Sequence, residues 1–143
     1  KFWGGSLMIA FKKNKNEKTK LINKFSSTNK KIVANIKKFK KKLIHLNSKI
    51  LKEENLIGYG AGQMVPSFSY HLANNFSCLD YIIDDNKKRA GFKYPFIKTH
   101  IKYFDKRLIQ NKIILITALD GVSGISKKLK KLNAKFLNPL IKN

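Results

Sequence analysis

Leu56-Ile57-Gly58-Tyr59-Gly60-Ala61-Gly62-Gln63 is the stretch whose reading decides the fold. An apolar run, Asn55 to Tyr59, enters a turn built from glycines, and a helical pattern follows from Gln63 to Asn75. Val65, Phe68, Ser69 and Leu72 fall on the inward face of that helix, and Pro66 is tolerable in a first turn. Glycines at a strand-to-helix crossing permit a tight turn and let backbone N–H groups approach a phosphate or ribose. The spacing is G-x-G-x-G, with Gln63 where a dinucleotide fingerprint carries its third glycine.

Downstream, Ser77–Ile83 reads as a strand that runs into Asp84-Asp85-Asn86. An acid at the end of the second strand often accepts ribose hydroxyls in such folds. Two readings stand for these residues. In one, Gly58, Tyr59, Gly60, Ala61, Gly62, Gln63, Asp84 and Asp85 contact a ligand, with Tyr59 able to stack on a base or sugar. In the other, the glycines only close the turn, Asp84 caps the next loop and Tyr59 packs internally.

Further along, the turn 87–91 leads to a short extended piece, Tyr94–Ile97, and then to a short helix or loop at 102–109. Lys112–Ala118 is a buried strand, Ser123–Leu132 a helix and Lys135–Leu137 a closing strand. Strands alternating with helices across short turns imply a doubly wound, mainly parallel α/β sheet with helices on both faces. Upstream, Ile32, Val33, Ile36, Phe39, Leu43, Leu46 and Ile50 recur at spacings of three and four. They mark an amphipathic helix over 29–52, with Ser26-Ser27-Thr28 offering N-cap hydroxyls and the apolar stripe expected to cover the sheet. Residues 1–28 read as a strand at 5–11 and a polar linker.

The 143 residues fit one domain. Their 31 Lys+Arg against 8 Asp+Glu give +23, which points first to a polyanion partner. The detail reduces that pull, because 29 of the 31 are Lys and only Arg89 and Arg107 carry the planar fork that base reading favours. The charge is also spread along both halves of the chain, so nucleic acid is not the expected partner and solvated lysine faces are. No apolar stretch approaches a membrane span, and one cysteine excludes an internal disulfide framework, so a cytoplasmic setting is expected.

A catalytic constellation is missing from the pattern. His45, His71 and His100 lack metal-ligand spacing, and Ser67, Ser69 and Ser123 lack a nucleophile elbow. Cys78 reads as a small buried residue at the start of a strand. The acids Asp80, Asp105 and Asp120 form no evident acid–base pair.

The landmarks, taken in order, resemble the C-terminal domain of the bacterial sugar C-methyltransferases, which depend on S-adenosylmethionine. The residues that carry the resemblance are Trp3-Gly4-Gly5-Ser6-Leu7, a long helix, Gly58-Tyr59-Gly60-Ala61, Tyr81 to Asn86 with Lys88 and Gly91, and Tyr94-Pro95. Five positions depart from the family. Trp3 stands where it has His, Met64 where it tends to have Lys, and Phe96 follows Pro95 in place of Gly. Leu119-Asp120 replaces a frequent Trp-Asn.

The resemblance implies that residues 1–143 form one Rossmann-like C-terminal domain (1–28 strand and polar linker, 29–52 amphipathic helix, 55–143 βα core). This domain would hold a nucleotide-sugar substrate while an upstream domain of the same polypeptide transfers the methyl group. Asn86 and Lys88 then join the candidate contacts. S-adenosylmethionine, and a zinc site, would belong to the upstream part, so that no cofactor is expected here and this chain alone is expected to be inactive. Three other readings remain: an NAD(P)-type dinucleotide-binding fragment of an oxidoreductase, a lysine-rich nucleic-acid-binding module, and a docking domain whose crevice has no ligand.

Overall fold

The computed structural model describes residues 22–140, with side chains from residue 29 onward. The chain divides into two compact units, Lys1–Ile36 and Lys37–Asn143. Helix α1, Ile22–Ile50, begins in the first unit and ends in the second. It starts seven residues before the expected position, so Ser26-Ser27-Thr28 lie inside it and do not cap it. Serine and threonine are only mildly unfavourable within a helix, so a hydroxyl cluster permits a start without enforcing one. The strand expected at 5–11 lies outside the described residues.

The second unit is built on five strands: β1 Leu56–Tyr59, β2 Ile82–Asp84, β3 Ile101–Tyr103, β4 Ile113–Ile116 and β5 Phe136–Leu137. All pair in parallel, in the order β3-β2-β1-β4-β5. Helix α2, Val65–His71, joins β1 to β2, and helix α3, Val122–Lys131, joins β4 to β5. Leu56-Ile57 and Ile113–Ile116 are apolar without alternation because both faces of a parallel sheet are covered. Leu56, Ile82 and Leu115 pack with Leu43, Leu46 and Ile50 of α1 and with Val65 and Phe68 of α2. Ile57, Ile83, Ile114 and Ile116 pack on the other face with Val122 and Leu129 of α3.

The predicted inward residues of α2 are indeed buried, but the helix stops four residues short of Asn75. Ala73, Asn75 and Phe76 adopt left-handed φ angles, and Asn74 Oδ1 accepts the Phe76 N–H at 2.9 Å. Asparagine competes for the backbone in this way and ends helices. The same turn carries Cys78, which therefore precedes β2 and does not begin it. Burial pushes its thiol pKa up.

The segment from Asn86 to His100 holds no long helix. It has a 3₁₀ turn, Lys87–Arg89, capped by Asn86, and an antiparallel bridge between Lys93 and His100. Tyr94–Ile97, expected to be extended, is a tight turn closed by the Ile97 N–H on the Tyr94 carbonyl at 3.3 Å. Strand β3 falls where a helix or loop was expected. Three residues at a sheet edge leave too short a pattern to read. A second 3₁₀ turn, Lys106–Ile109, is capped by Asp105, whose carboxyl the Arg107 fork holds down at about 2.

Candidate functional site

In an open parallel sheet, ligands sit at the carboxyl ends of the strands, where the order of strands reverses. Here β1 is central, β2 and β3 extend to one side, and β4 and β5 to the other. The glycine turn after β1 therefore stands at the reversal. Gly60 has φ +99°, and a Cβ built on it would overlap that of Ala118. The turn is anchored from three sides. Gly60 N–H donates to the Ile83 carbonyl at 2.8 Å, Thr117 Oγ1 donates to the Gly60 carbonyl at 2.7 Å, and Ala61 N–H donates to Asp84 Oδ2 at 2.6 Å.

A groove of about 330 Å³ opens between this turn and the loop after β2. Ala61, Gly62 and Gln63 form one wall, and Lys88, Arg89, Phe92, Lys93 and Tyr94 the other. Tyr94 joins the walls by donating its hydroxyl to the Gly62 carbonyl at 2.8 Å, and burial raises the phenol's pKa. The charged side chains of the lining are all cations. Phe92 is two-thirds exposed, so an apolar ring stands beside them. Across the turn, Asp120 approaches Gly62, where an added Cβ would lie 3.2 Å from its Oδ1. Among the described residues this carboxylate has no hydrogen-bond or ion-pair partner.

Of the residues singled out from the sequence, Ala61, Gly62, Gln63 and Lys88 line the groove. The others are engaged elsewhere. Gly58 is packed inside β1, with Ile82 Cγ1 2.9 Å from where its Cβ would be. Asp84 is nearly buried and already accepts from Ala61 N–H, Asn86 N–H at 2.8 Å and Arg89 at 3.1 Å. Asp84 thus braces the glycine turn and the loop that follows β2, with both of its oxygens engaged by the chain's own donors. Asn86 accepts the Lys88 N–H at 3.0 Å.

Tyr59 points away from the groove, onto the α3 face. Its ring stacks on Phe104 at 5.6 Å, and its hydroxyl donates to Asp85 at 2.9 Å. Burial first, and then the Asp85 carboxylate, push its pKa well above the ordinary phenol value. Lys128 closes the cluster, 2.6 Å from Asp85 Oδ1 and 3.7 Å above the Phe104 ring. The packed reading of Tyr59 is therefore the one the structure holds, and Asp85 serves that packing.

Sequence reading missed Arg89, Phe92, Lys93 and Tyr94. The signal was present in the contrast between two arginines and 29 lysines, one of those arginines lying five residues after Asp84. A larger hollow of about 660 Å³ lies at the amino ends of β4 and β5, beside Lys112, Asn133 and Lys135. That is the opposite end of the strands from the reversal. Among the described residues, no group of three His, Cys, Asp or Glu side chains is placed to hold a metal ion. No described helix is long and apolar enough to cross a membrane.

No family model, curated protein or solved structure matches the chain.

Proposed function

We propose that this chain is a cytoplasmic nucleotide-sugar-binding domain with a doubly wound, Rossmann-like sheet, which positions its ligand for methyl transfer by another domain of the same polypeptide. The observation that carries the binding role is the groove at the carboxyl ends of β1 and β2, walled by a glycine turn on one side and by three cations and a phenylalanine on the other. Cations suit the phosphates, and the Phe92 ring offers a face on which a base stacks. The strand order and the burial of both sheet faces support the doubly wound description.

The oxidoreductase alternative is less well supported. A dinucleotide site uses the acid after β2 for ribose hydroxyls, and Asp84 is nearly buried with both oxygens already accepting from the chain's own donors. The methyl-transfer assignment rests on the resemblance alone.

Titration of the ¹⁵N-labelled chain with uridine diphosphate and thymidine diphosphate tests the binding role. The expected result is saturable shifts of the Gly60–Gln63 and Lys88–Tyr94 amides that persist at about 0.15 M salt. Shifts confined to the lysines of α1 would sink the groove and favour diffuse polyanion attraction. A response to NADH stronger than to either diphosphate would favour the oxidoreductase reading.

A further inference from the structure

We propose that Arg89, aimed by Asp84, is the residue that holds the diphosphate of the ligand; this rests on the nucleotide-binding reading of the groove and names its charge-recognising element. Arginine carries five N–H donors in a rigid fork, suited to paired acceptor oxygens. One of its terminal nitrogens donates to Asp84 Oδ2 at 3.1 Å. Among the described residues its other nitrogens have no acceptor, and the side chain is 45% exposed where it lines the groove. A guanidinium fixed at one end and free at the other is pre-oriented for an anion.

Asp84 cannot swing with it. Its carboxylate is held by the Ala61 and Asn86 N–H groups, at 2.6 and 2.8 Å, and its side chain is only 9% exposed. The same carboxylate therefore fixes the glycine turn and the arginine, one on each wall of the groove. An anion seated against Arg89 meets a site whose two walls are already in register, which lowers the ordering cost of binding. Lys88 and Lys93 flank it, without an ion-pair partner among the described residues, as charges on flexible stems that add field more than geometry. A planar fork with two flanking charges matches a diphosphate better than a single carboxylate or an uncharged sugar.

Arg107 supplies the internal control. It is the chain's other arginine, but its fork is closed on Asp105, with a 2.6 Å contact, and it lies outside the groove lining. The experiment measures binding of inorganic pyrophosphate, uridine diphosphate and uridine by amide shifts in the 143-residue chain and in R89Q, R89K and R107Q. R89K retains a cation for Asp84, so it protects the test against loss of fold. The expected result is that R89Q weakens pyrophosphate and uridine diphosphate by about ten-fold, R89K less so, and R107Q not at all.

Uridine diphosphate shifting the groove amides equally in R89Q and the parent chain would overturn the Arg89 assignment and leave the nucleotide reading standing. Equal weakening by R107Q would also overturn it, since net charge alone would then account for the effect. If neither pyrophosphate nor uridine diphosphate shifts those amides in the parent chain, the nucleotide reading itself fails, and the assignment with it. Uridine binding at the groove without any response to pyrophosphate would keep the reading and remove the arginine.

Discussion

The Asp84 carboxylate accepts the Ala61 backbone N–H at 2.6 Å, joining the end of β2 to the turn after β1. This one bond converts a residue that looked like a ligand contact into a brace. D84A leaves two N–H donors and a guanidinium without their acceptor in a nearly buried place. It is expected to cost about 3 kcal/mol of stability in urea denaturation. D84N, which keeps one acceptor oxygen, should cost less. Equal stability of D84A and the parent chain would refute the brace.

Gly60 and Gly62 should respond differently to alanine. Gly60 combines a positive φ with a neighbour, Ala118, that leaves no room for a methyl group. G60A is expected to destabilise by about 3 kcal/mol or more, through backbone strain and overpacking together. Gly62 has an ordinary φ, and its nearest obstacle is the end of the Asp120 side chain. G62A should therefore fold almost normally, a contrast that thermal melting of the two variants reads directly.

Tyr59 sets an alkaline limit on the fold. Its phenol pKa is raised in the native state above the ordinary 10.0 by burial and the Asp85 carboxylate. The folded state thus favours the protonated form. That contribution is complete below pH 10 and is lost as pH climbs from there toward the raised value. Y59F should remove this part of the alkaline destabilisation, at the expense of about 1 kcal/mol near neutral pH for the lost hydrogen bond. Denaturation midpoints at several pH values from neutral upward would check the sign. A Y59F midpoint falling as steeply as that of the parent chain would refute it.

Phe96 follows Pro95 in a turn that requires a left-handed residue, and its φ is +65°. The residue is 95% exposed, so almost no packing compensates the strain. F96G is expected to stabilise the chain by about 1 kcal/mol. This also gives a physical reason for the Gly that follows Pro in the family resembled: glycine is the residue that occupies this conformation without cost to its side chain. A lower melting temperature for F96G would count against the turn geometry.

The apolar stripe of α1 is one pattern in the sequence and two environments in the structure. Leu43, Leu46 and Ile50 are buried, while Ile32, Ile36 and Phe39 remain between 39% and 50% exposed. Truncating Ile50 to alanine should cost about 2–4 kcal/mol, and truncating Ile32 less than about 1. A periodicity of three and four reports a helix face. It carries no statement of what that face meets.

Local chemistry determined a good deal. The apolar runs at Leu56–Tyr59 and Ile113–Ile116, the glycine turn and the inward face of α2 all follow from interactions within a few residues, and the parallel α/β class follows from their alternation. The brief edge strand β3 did not, because three residues at an edge carry too little pattern. Nor did the roles of Asp84 and Tyr59. Each depends on a partner more than 20 residues away, Ala61 for one and Asp85 for the other, and no spacing along the chain reveals which of two adjacent acids turns to which face of a sheet. Asp84, the last residue of β2, faces the glycine turn, and Asp85, just past the strand, faces Tyr59 and the α3 residue Lys128. That same placement left Arg89 half exposed beside the turn, so only the tertiary structure made it the groove's anchored cation.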